Sequence, residues 1–373
     1  MYRFPAFITV ALILLVGFSQ DNNHNAFILP PEYLKADKLF REAELLPLRA
    51  DYDEKTEALE ARMNREALAI YTSLTPLFEK QASDSLLAQT YFKTGLLEQY
   101  FDSLEVSRIA YLKSIYFGEK STTLKDSFLF QPHLFLGSIY YSRNEFDSAM
   151  YYYKKAETIS DKYANNLKET GRLYNRLGAM FYETGNYSQA KNYFEKALAL
   201  VKPGEPYAHE LAVNYQVNIG SSLIRLEDYE AAGKIFRELL PEEVNTNEIL
   251  NNTGIIELYL GHPELALTFF NKVNYTNEKM IQLYNHKGRA FKDLKRFDSA
   301  GFYFQKALTE NGNRFPNTKS VQHGITFKSL GELWELRRNN PEALRMYQHA
   351  IIQFATDFND SLTSSNPKQY NGA

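Results

Sequence analysis

Apolar residues in this chain return every three or four positions for most of its length. That period is helical, and the runs are separated by short turns carrying Gly, Asn, Asp or Pro. The clearest block is YNRLGAMFYETGNYSQAKNYFEKALAL, from Tyr174 to Leu200. It predicts two amphipathic helices joined at Glu183–Asn186. Within it Gly178 is followed by Phe181, Ala190, Phe194 and Ala197, and the same frame recurs along the chain. Gly137 leads Tyr140, Ala149, Tyr153 and Ala156. Gly220 leads Ala232 and Phe236, and Gly254 leads Ala266 and Phe270. Gly288 leads Phe291, Ala300, Phe304 and Ala307, and Gly331 leads Trp334, Ala343, Tyr347 and Ala350. A weaker copy is anchored at Gly95, with Ser107, Tyr111 and Ser114.

This frame resembles the tetratricopeptide repeat, over residues 86 to 352. The residue types have a physical sense. Small side chains at the Gly and first Ala positions allow close helix approach, aromatics fill the remaining groove, and the last Ala admits the next unit. A hairpin alone cannot bury its apolar face, so stacking supplies the stability. The resemblance implies an all-α, right-handed α-solenoid of about seven hairpins, preceded by a degenerate capping hairpin around Ala67, Tyr71 and Leu74. The expected division is a signal peptide at 1–19, linker and cap at 20–85, the array at 86–355, and a polar, disordered tail at 356–373.

The frame glycines are spaced 42, 41, 42, 34, 34 and 43 residues apart. An excess of seven or eight residues is about two helical turns, so the first three long steps predict lengthened helices. The last holds Glu310–Thr318, which reads as a surface loop. Asp147, Asp298 and Ser188 are expected to cap second helices, and Pro263 and Pro341 suit a first turn.

The beginning of the chain differs. Arg3 is followed by an apolar run from Ala6 to Phe18, then by small residues at Gly17 and Ser19. The run is shorter than the ~20 residues of a spanning helix and has the layout of a signal peptide cleaved after Ser19. Export to the periplasm, cell envelope or exterior is the expectation, with no later stretch apolar enough to span a bilayer.

Composition narrows the chemistry. Lys plus Arg number 42 against 45 Asp plus Glu, which lacks the bulk basic surface of a nucleic-acid protein. Cysteine is absent, removing disulfides, thiolate metal sites, a cysteine nucleophile and a lipid-anchoring cysteine. No phosphate loop, dinucleotide fingerprint, nucleophile elbow or HExxH occurs, and the seven histidines are scattered. The reading is a binding scaffold without catalytic, cofactor or metal residues.

In such arrays the first helix of each unit faces the ligand at three and two residues before the small position and at one after it. Those places hold Asn175, Asn251 and Asn285 (three before), Asn218, Asn252 and His286 (two before), and Ser221 and Arg289 (one after). A row of amides offers donors and acceptors to an extended protein or peptide ligand; alternatively the amides bond neighbouring helices. The lysines of a terminal-carboxylate clamp are missing, because the matching positions are Val217, Ser221, Asn252, Asn285 and Arg289. The last repeat and tail, MYQHAIIQFATDFNDSLTSSNP, resemble the junction that precedes the peptidase of bacterial CHAT-domain proteins, at Phe354, Asp357–Asp360 and Asn366–Pro367. That resemblance implies an alternative role as the recognition half of a peptidase or envelope signalling system, its catalytic partner encoded separately. A third role, glycan binding in nutrient uptake, would need aromatic residues exposed on the ligand face.

Overall fold

The computed structural model describes residues 29–48, 52–316, 318–355 and 357–362. The expected signal peptide and the last residues of the tail lie outside them. Sixteen α-helices and no strand occur among the described residues. They form a solenoid of helical hairpins that divides into two compact units. Unit 1 is Met1–Gly185 with Ala199–Pro206, and unit 2 is Asn186–Leu198 with Tyr207–Ala373. The division falls inside the hairpin predicted around Gly178.

Unit 1 begins with the cap, α1 (Pro31–Leu45) and α2 (Glu54–Lys80), followed by the hairpins α3 (Asp84–Tyr100)/α4 (Leu104–Lys120) and α5 (Phe130–Ser142)/α6 (Phe146–Lys162), then α7 (Thr170–Glu183). Ala67 and Tyr71 of the cap are fully buried, as their near-repeat positions suggest, and Leu74 almost so. A polar knot fastens the cap to α3. The Lys93 ammonium lies 2.5 Å from Asp37 Oδ1 and 3.1 Å from the Tyr33 hydroxyl, and the Tyr71 hydroxyl donates to the same Asp37 oxygen. Lys93 is 4 % exposed, so this ion pair is shielded and depends on those extra bonds to offset desolvation.

Unit 2 holds α8 (Tyr187–Ala199, up to Leu198) and the hairpins α9 (Ala208–Arg225)/α10 (Tyr229–Leu239), α11 (Thr246–Tyr259)/α12 (Pro263–Phe270), α13 (Lys279–Asp293)/α14 (Phe297–Arg314) and α15 (Val321–Leu336)/α16 (Asn340–Phe354).

Gly95, Gly137, Gly220, Gly254, Gly288 and Gly331 each receive a ring from the partner helix, sixteen residues on. A Cβ placed on Gly95 would stand 2.6 Å from Tyr111, and on Gly137 2.7 Å from Tyr153. In unit 2 the same distance is 2.6 Å for Gly220 and Phe236, and 2.5 Å for Gly254 and Phe270, Gly288 and Phe304, and Gly331 and Tyr347. Such contacts leave no room for a methyl group. The rings of Tyr111, Tyr153, Phe236, Phe270 and Phe304 are fully buried, whereas Tyr347, in the last described hairpin, stays partly exposed. A further ring-on-glycine contact, Phe354 on Gly324 at 2.5 Å, lies outside the repeat frame.

The hairpin turns follow one scheme. Seven residues after each frame glycine the backbone turns left-handed, at Asp102, Asn144, Gly185, Glu227, Gly261, Lys295 and Arg338. The next amide then bonds back five residues, as in Asp228 N to Leu223 O, His262 N to Glu257 O and Arg296 N to Phe291 O. These are Schellman closures, which satisfy carbonyls orphaned at a helix end. Only two of the seven positions are Gly, so the closure and the packing behind it hold the others against the left-handed cost.

Several local expectations are corrected. Asp147 and Asp298 are not caps: the preceding residues, Glu145 and Arg296, hold the cap positions without a side-chain bond, and both aspartates lie in the first turn. There their charge suits the helix N-terminus, and Asp298 Oδ1 also lies 2.5 Å from Arg337. Ser188 does not cap α8 either; Asn186 Oδ1 accepts from Gln189 N at 3.2 Å. Pro263 and Pro341 do occupy first turns. Glu310–Arg314 continues α14, leaving only the residues after Arg314 as connection. Extra length enters the early steps partly as the 17-residue α4 and α6, and partly as connections such as the short 3-10 helix Asp126–Leu129. Beyond α16, Lys319 Nζ donates to Ala355 O and Phe358 O, and Gln348 Nε2 to Asp360 O.

The glycine geometry predicts opposite signs for one substitution. Gly288→Ala should destabilise by ~1–3 kcal/mol, because the overpacking cost against Phe304 exceeds the gain in helix propensity. Gly301→Ala in α14, whose new methyl would meet nothing closer than Leu333 at 3.6 Å, should stabilise by ~0.5–1 kcal/mol. Urea unfolding of the two variants checks both signs.

Candidate functional site

The first helices of unit 2 lie beside one another, and the amide row predicted on them meets across their seams. Asn252 Nδ2 on α11 donates to Ser221 Oγ on α9 at 3.1 Å. His286 Nδ1 on α13 donates to Asn251 Oδ1 on α11 at 3.3 Å. Thr326 Oγ1 on α15 donates to Asn285 Oδ1 on α13 at 3.0 Å. The ladder sets the register of successive hairpins, because each rung joins residues one repeat apart. Two ion pairs run in parallel with it, Lys279 to Glu248 and Lys292 to Glu332, each at 2.5 Å.

Burial separates the predicted residues into two groups. Asn251 and Asn285 are 9 % and 7 % exposed, within the helix seams, and Asn285 Nδ2 has no partner. Asn218, Ser221, Asn252, His286 and Arg289 are half-buried, and so is Asn175 on α7 of unit 1. Ser221 also donates to Val217 O at 2.8 Å, so its hydroxyl already has a donor and an acceptor partner. Asn252 retains its carbonyl oxygen and a second amide hydrogen for other partners. His286 is packed against Phe270 at a ring separation of 5.6 Å. Burial, then the positive charge of Arg289, holds its imidazole down to about 4.

The side chains around Arg289 form a surface feature absent from the sequence prediction. Its guanidinium lies over Tyr259, 4.2 Å from the ring centre. Tyr259 in turn stacks on Tyr229 at 4.4 Å and 11°. One repeat earlier, Arg225 covers Tyr187 at 4.7 Å and donates to its hydroxyl. Tyr259 is 45 % exposed, so the stack faces solvent. Burial, then the neighbouring Tyr259, raises Tyr229 above the usual phenol range. A sequence signal existed for these residues. Arg225 and Tyr259 both stand five after a frame glycine, and Tyr187 and Tyr229 both nine after one. Reading only the three positions nearest the glycine left them out.

Side-chain amides also grip backbone here. Asn247 Oδ1 accepts from Asn274 N at 2.8 Å while its Nδ2 donates to Asn274 O at 3.1 Å. This is the bidentate pattern an amide would use on an extended peptide, but its target is this chain's own connection. Among the described residues no group of three His, Asp or Glu is placed to hold a metal ion. No described helix is long and apolar enough to cross a membrane.

Comparison with known proteins agrees with the hairpin geometry. Residues 129–202, 176–248 and 281–314 each match a model described as tetratricopeptide repeat. The anaphase-promoting complex subunit CDC16 of Saccharomyces cerevisiae is 27 % identical over 144 residues, 39 % of this chain and 16 % of that protein. Tetratricopeptide repeat protein 6 of Homo sapiens is 27 % identical over 124 residues, 33 % of this chain and 22 % of its own length. The chain therefore spans less than a quarter of either relative. Among solved structures, the apo form of RapI superposes with a TM-score of 0.62 at 15 % identity, over 86 % of this chain and 97 % of that one. The likeness shows the fold.

The position of His286 fixes a pH dependence. Its folded value lies below the ordinary ~6.5, so the unfolded chain binds the proton first. The resulting stability is fully present above pH 6.5 and is lost as pH falls towards 4. Histidine NMR titration should place His286 near 4. Arg289→Ala should move it upward and reduce the acid loss of stability.

Proposed function

We propose that this chain is an exported, non-catalytic scaffold that binds a protein or peptide on the face formed by its first helices. The observation carrying this reading is the repeat itself. A stack of hairpins whose buried positions serve packing leaves its exposed first-helix positions free to vary for recognition. A relative whose name makes it a subunit of a larger complex, CDC16, supports binding between proteins. The half-buried Asn218, Asn252 and Arg289 present amide and guanidinium groups from three successive first helices. Export rests on the charged, apolar and small-residue layout of residues 1–19.

A second reading is supported by the resemblance of Phe354–Pro367 to a CHAT-domain junction. In it the array is the recognition half of a peptidase system with a separately encoded catalytic chain.

Asn251 and Asn285 are too buried to serve as binding probes, since replacing them would test the helix seams instead. The test is therefore a pulldown from envelope extracts, comparing the wild-type chain with an Asn218→Ala/Asn252→Ala/Arg289→Ala variant of unchanged melting temperature. A partner recovered by the wild type and reduced roughly tenfold or more by the variant is expected. Equal recovery would move the site off the first-helix face. Recovery of a cysteine peptidase as the partner would decide for the second reading.

A further inference from the structure

The arginines of unit 2 are not treated alike. Arg314, Arg337 and Arg345 pair with Glu310, Asp298 and Glu342 at 2.5, 2.5 and 2.7 Å. Arg225 and Arg289 have no carboxylate partner among the described residues. Each instead lies over a tyrosine, Arg225 on Tyr187 and Arg289 on Tyr259. A ring under the guanidinium holds it in one orientation and shields one of its faces from water. Arg289 keeps its N–H edge, and Arg225 keeps the N–H groups other than the one donated to the Tyr187 hydroxyl; such an edge matches a carboxylate in a planar fashion. Little side-chain entropy then remains to be lost on binding.

The two guanidiniums belong to one surface. Arg225 ends α9, Tyr229 begins α10 after a three-residue turn, and Tyr229 stacks on Tyr259, which carries Arg289. The interval between the cations is thus a tyrosine pair with an exposed ring, beside the Asn252–Ser221 rung. The charge of Glu227, in the turn, acts on Tyr229, and Glu227 forms no ion pair with either guanidinium. Cations without anions, spaced by aromatic surface and a neutral amide, complement alternating acidic and other residues.

We propose that this face of unit 2 recognises an acidic segment of a partner protein, whose side-chain carboxylates engage Arg225 and Arg289 while its backbone crosses the Tyr229–Tyr259 pair. The proposal rests on the protein-binding reading above and names the chemistry of the partner. It differs from a terminal-carboxylate clamp, whose lysine positions hold Val217 and Asn285 here.

The test is fluorescence anisotropy on the purified chain with a fluorescein-labelled peptide of alternating Glu and Ser, amidated at its C-terminus. A Gln/Ser peptide is the neutral control, and the Gln/Ser peptide with a free C-terminus is the terminal-carboxylate control. The Glu peptide should bind, and Arg225→Ala/Arg289→Ala should weaken it about tenfold or more. Arg225→Lys/Arg289→Lys should lose most of the same affinity, because an ammonium keeps the charge without the plane. Glu227→Gln should tighten binding about twofold, as removal of one exposed like charge does. Arg225 and Glu227 are exposed and Arg289 is half-buried, so only variants whose melting curves match the wild type are compared.

Equal binding of the Glu/Ser and amidated Gln/Ser peptides, or wild-type affinity in the double Ala variant, would overturn the proposal. Binding of only the free-terminus control would overturn it in favour of a terminal carboxylate. Binding of anionic lipid vesicles with no binding of the Glu peptide would overturn it in favour of a membrane surface. If the envelope pulldown succeeds while the Glu peptide goes unrecognised, the scaffold reading stands and only the acidic specificity fails.

Discussion

A tyrosine or phenylalanine ring laid on a glycine is the contact on which each repeat depends. The ring comes from the second helix, and the glycine from the first. With no Cβ between them the two backbones come closer than ordinary side-chain packing permits. Close approach in turn fixes where the second helix starts, because only a tight turn can join helices so near. This explains why the left-handed residue recurs at one place in every hairpin even where it is Glu227, Lys295 or Arg338. The packing energy of a buried aromatic is larger than the local strain. Local preference yields to tertiary contact.

Once the hairpin is set, its neighbours are placed by polar bonds. The rungs from Ser221 to Asn252, Asn251 to His286, and Asn285 to Thr326 join equivalent faces of adjacent first helices. Apolar packing alone would tolerate sliding along the helix axes. Directional bonds at half-buried seams do not, so they select a register. The same bonds occupy much of the amide capacity that a ligand would otherwise meet. The arginine–tyrosine stacks stand outside the seams, and on the proposed reading recognition falls to them and to the amide capacity that Asn252 keeps beyond its rung.

These stacks show how a repeat protein gains individuality without disturbing its frame. Positions five and nine after the glycine lie at the ends of first helices and the starts of second ones. A tyrosine from one unit there reaches a residue of the next. Substitutions at these places alter surface chemistry and leave the ring-on-glycine contact intact. The buried Lys93–Asp37 pair of the cap has a different purpose. It joins the degenerate first hairpin to the array where the regular aromatic frame is weakest.

The sequence by itself determined the helical class, the number of hairpins, the glycine and aromatic frame, and the burial of Ala67 and Tyr71 in the cap. All of these follow from spacing that repeats along one chain, and a periodic pattern is visible without knowing what it packs against. It also located the amide row, because that row shares the period. Tertiary structure decided what the row does, since whether an amide faces a ligand or a neighbouring helix depends on the seam between two units. It decided the caps as well: Asn186 rather than Ser188, and no cap at Asp147 or Asp298, because a two-residue shift of a helix start changes which side chain reaches the free amide. Above all it decided the pairing of Arg289 with Tyr259 and Tyr229. Those residues are 30 or more positions apart, and only the stacking of consecutive hairpins brings them into one surface.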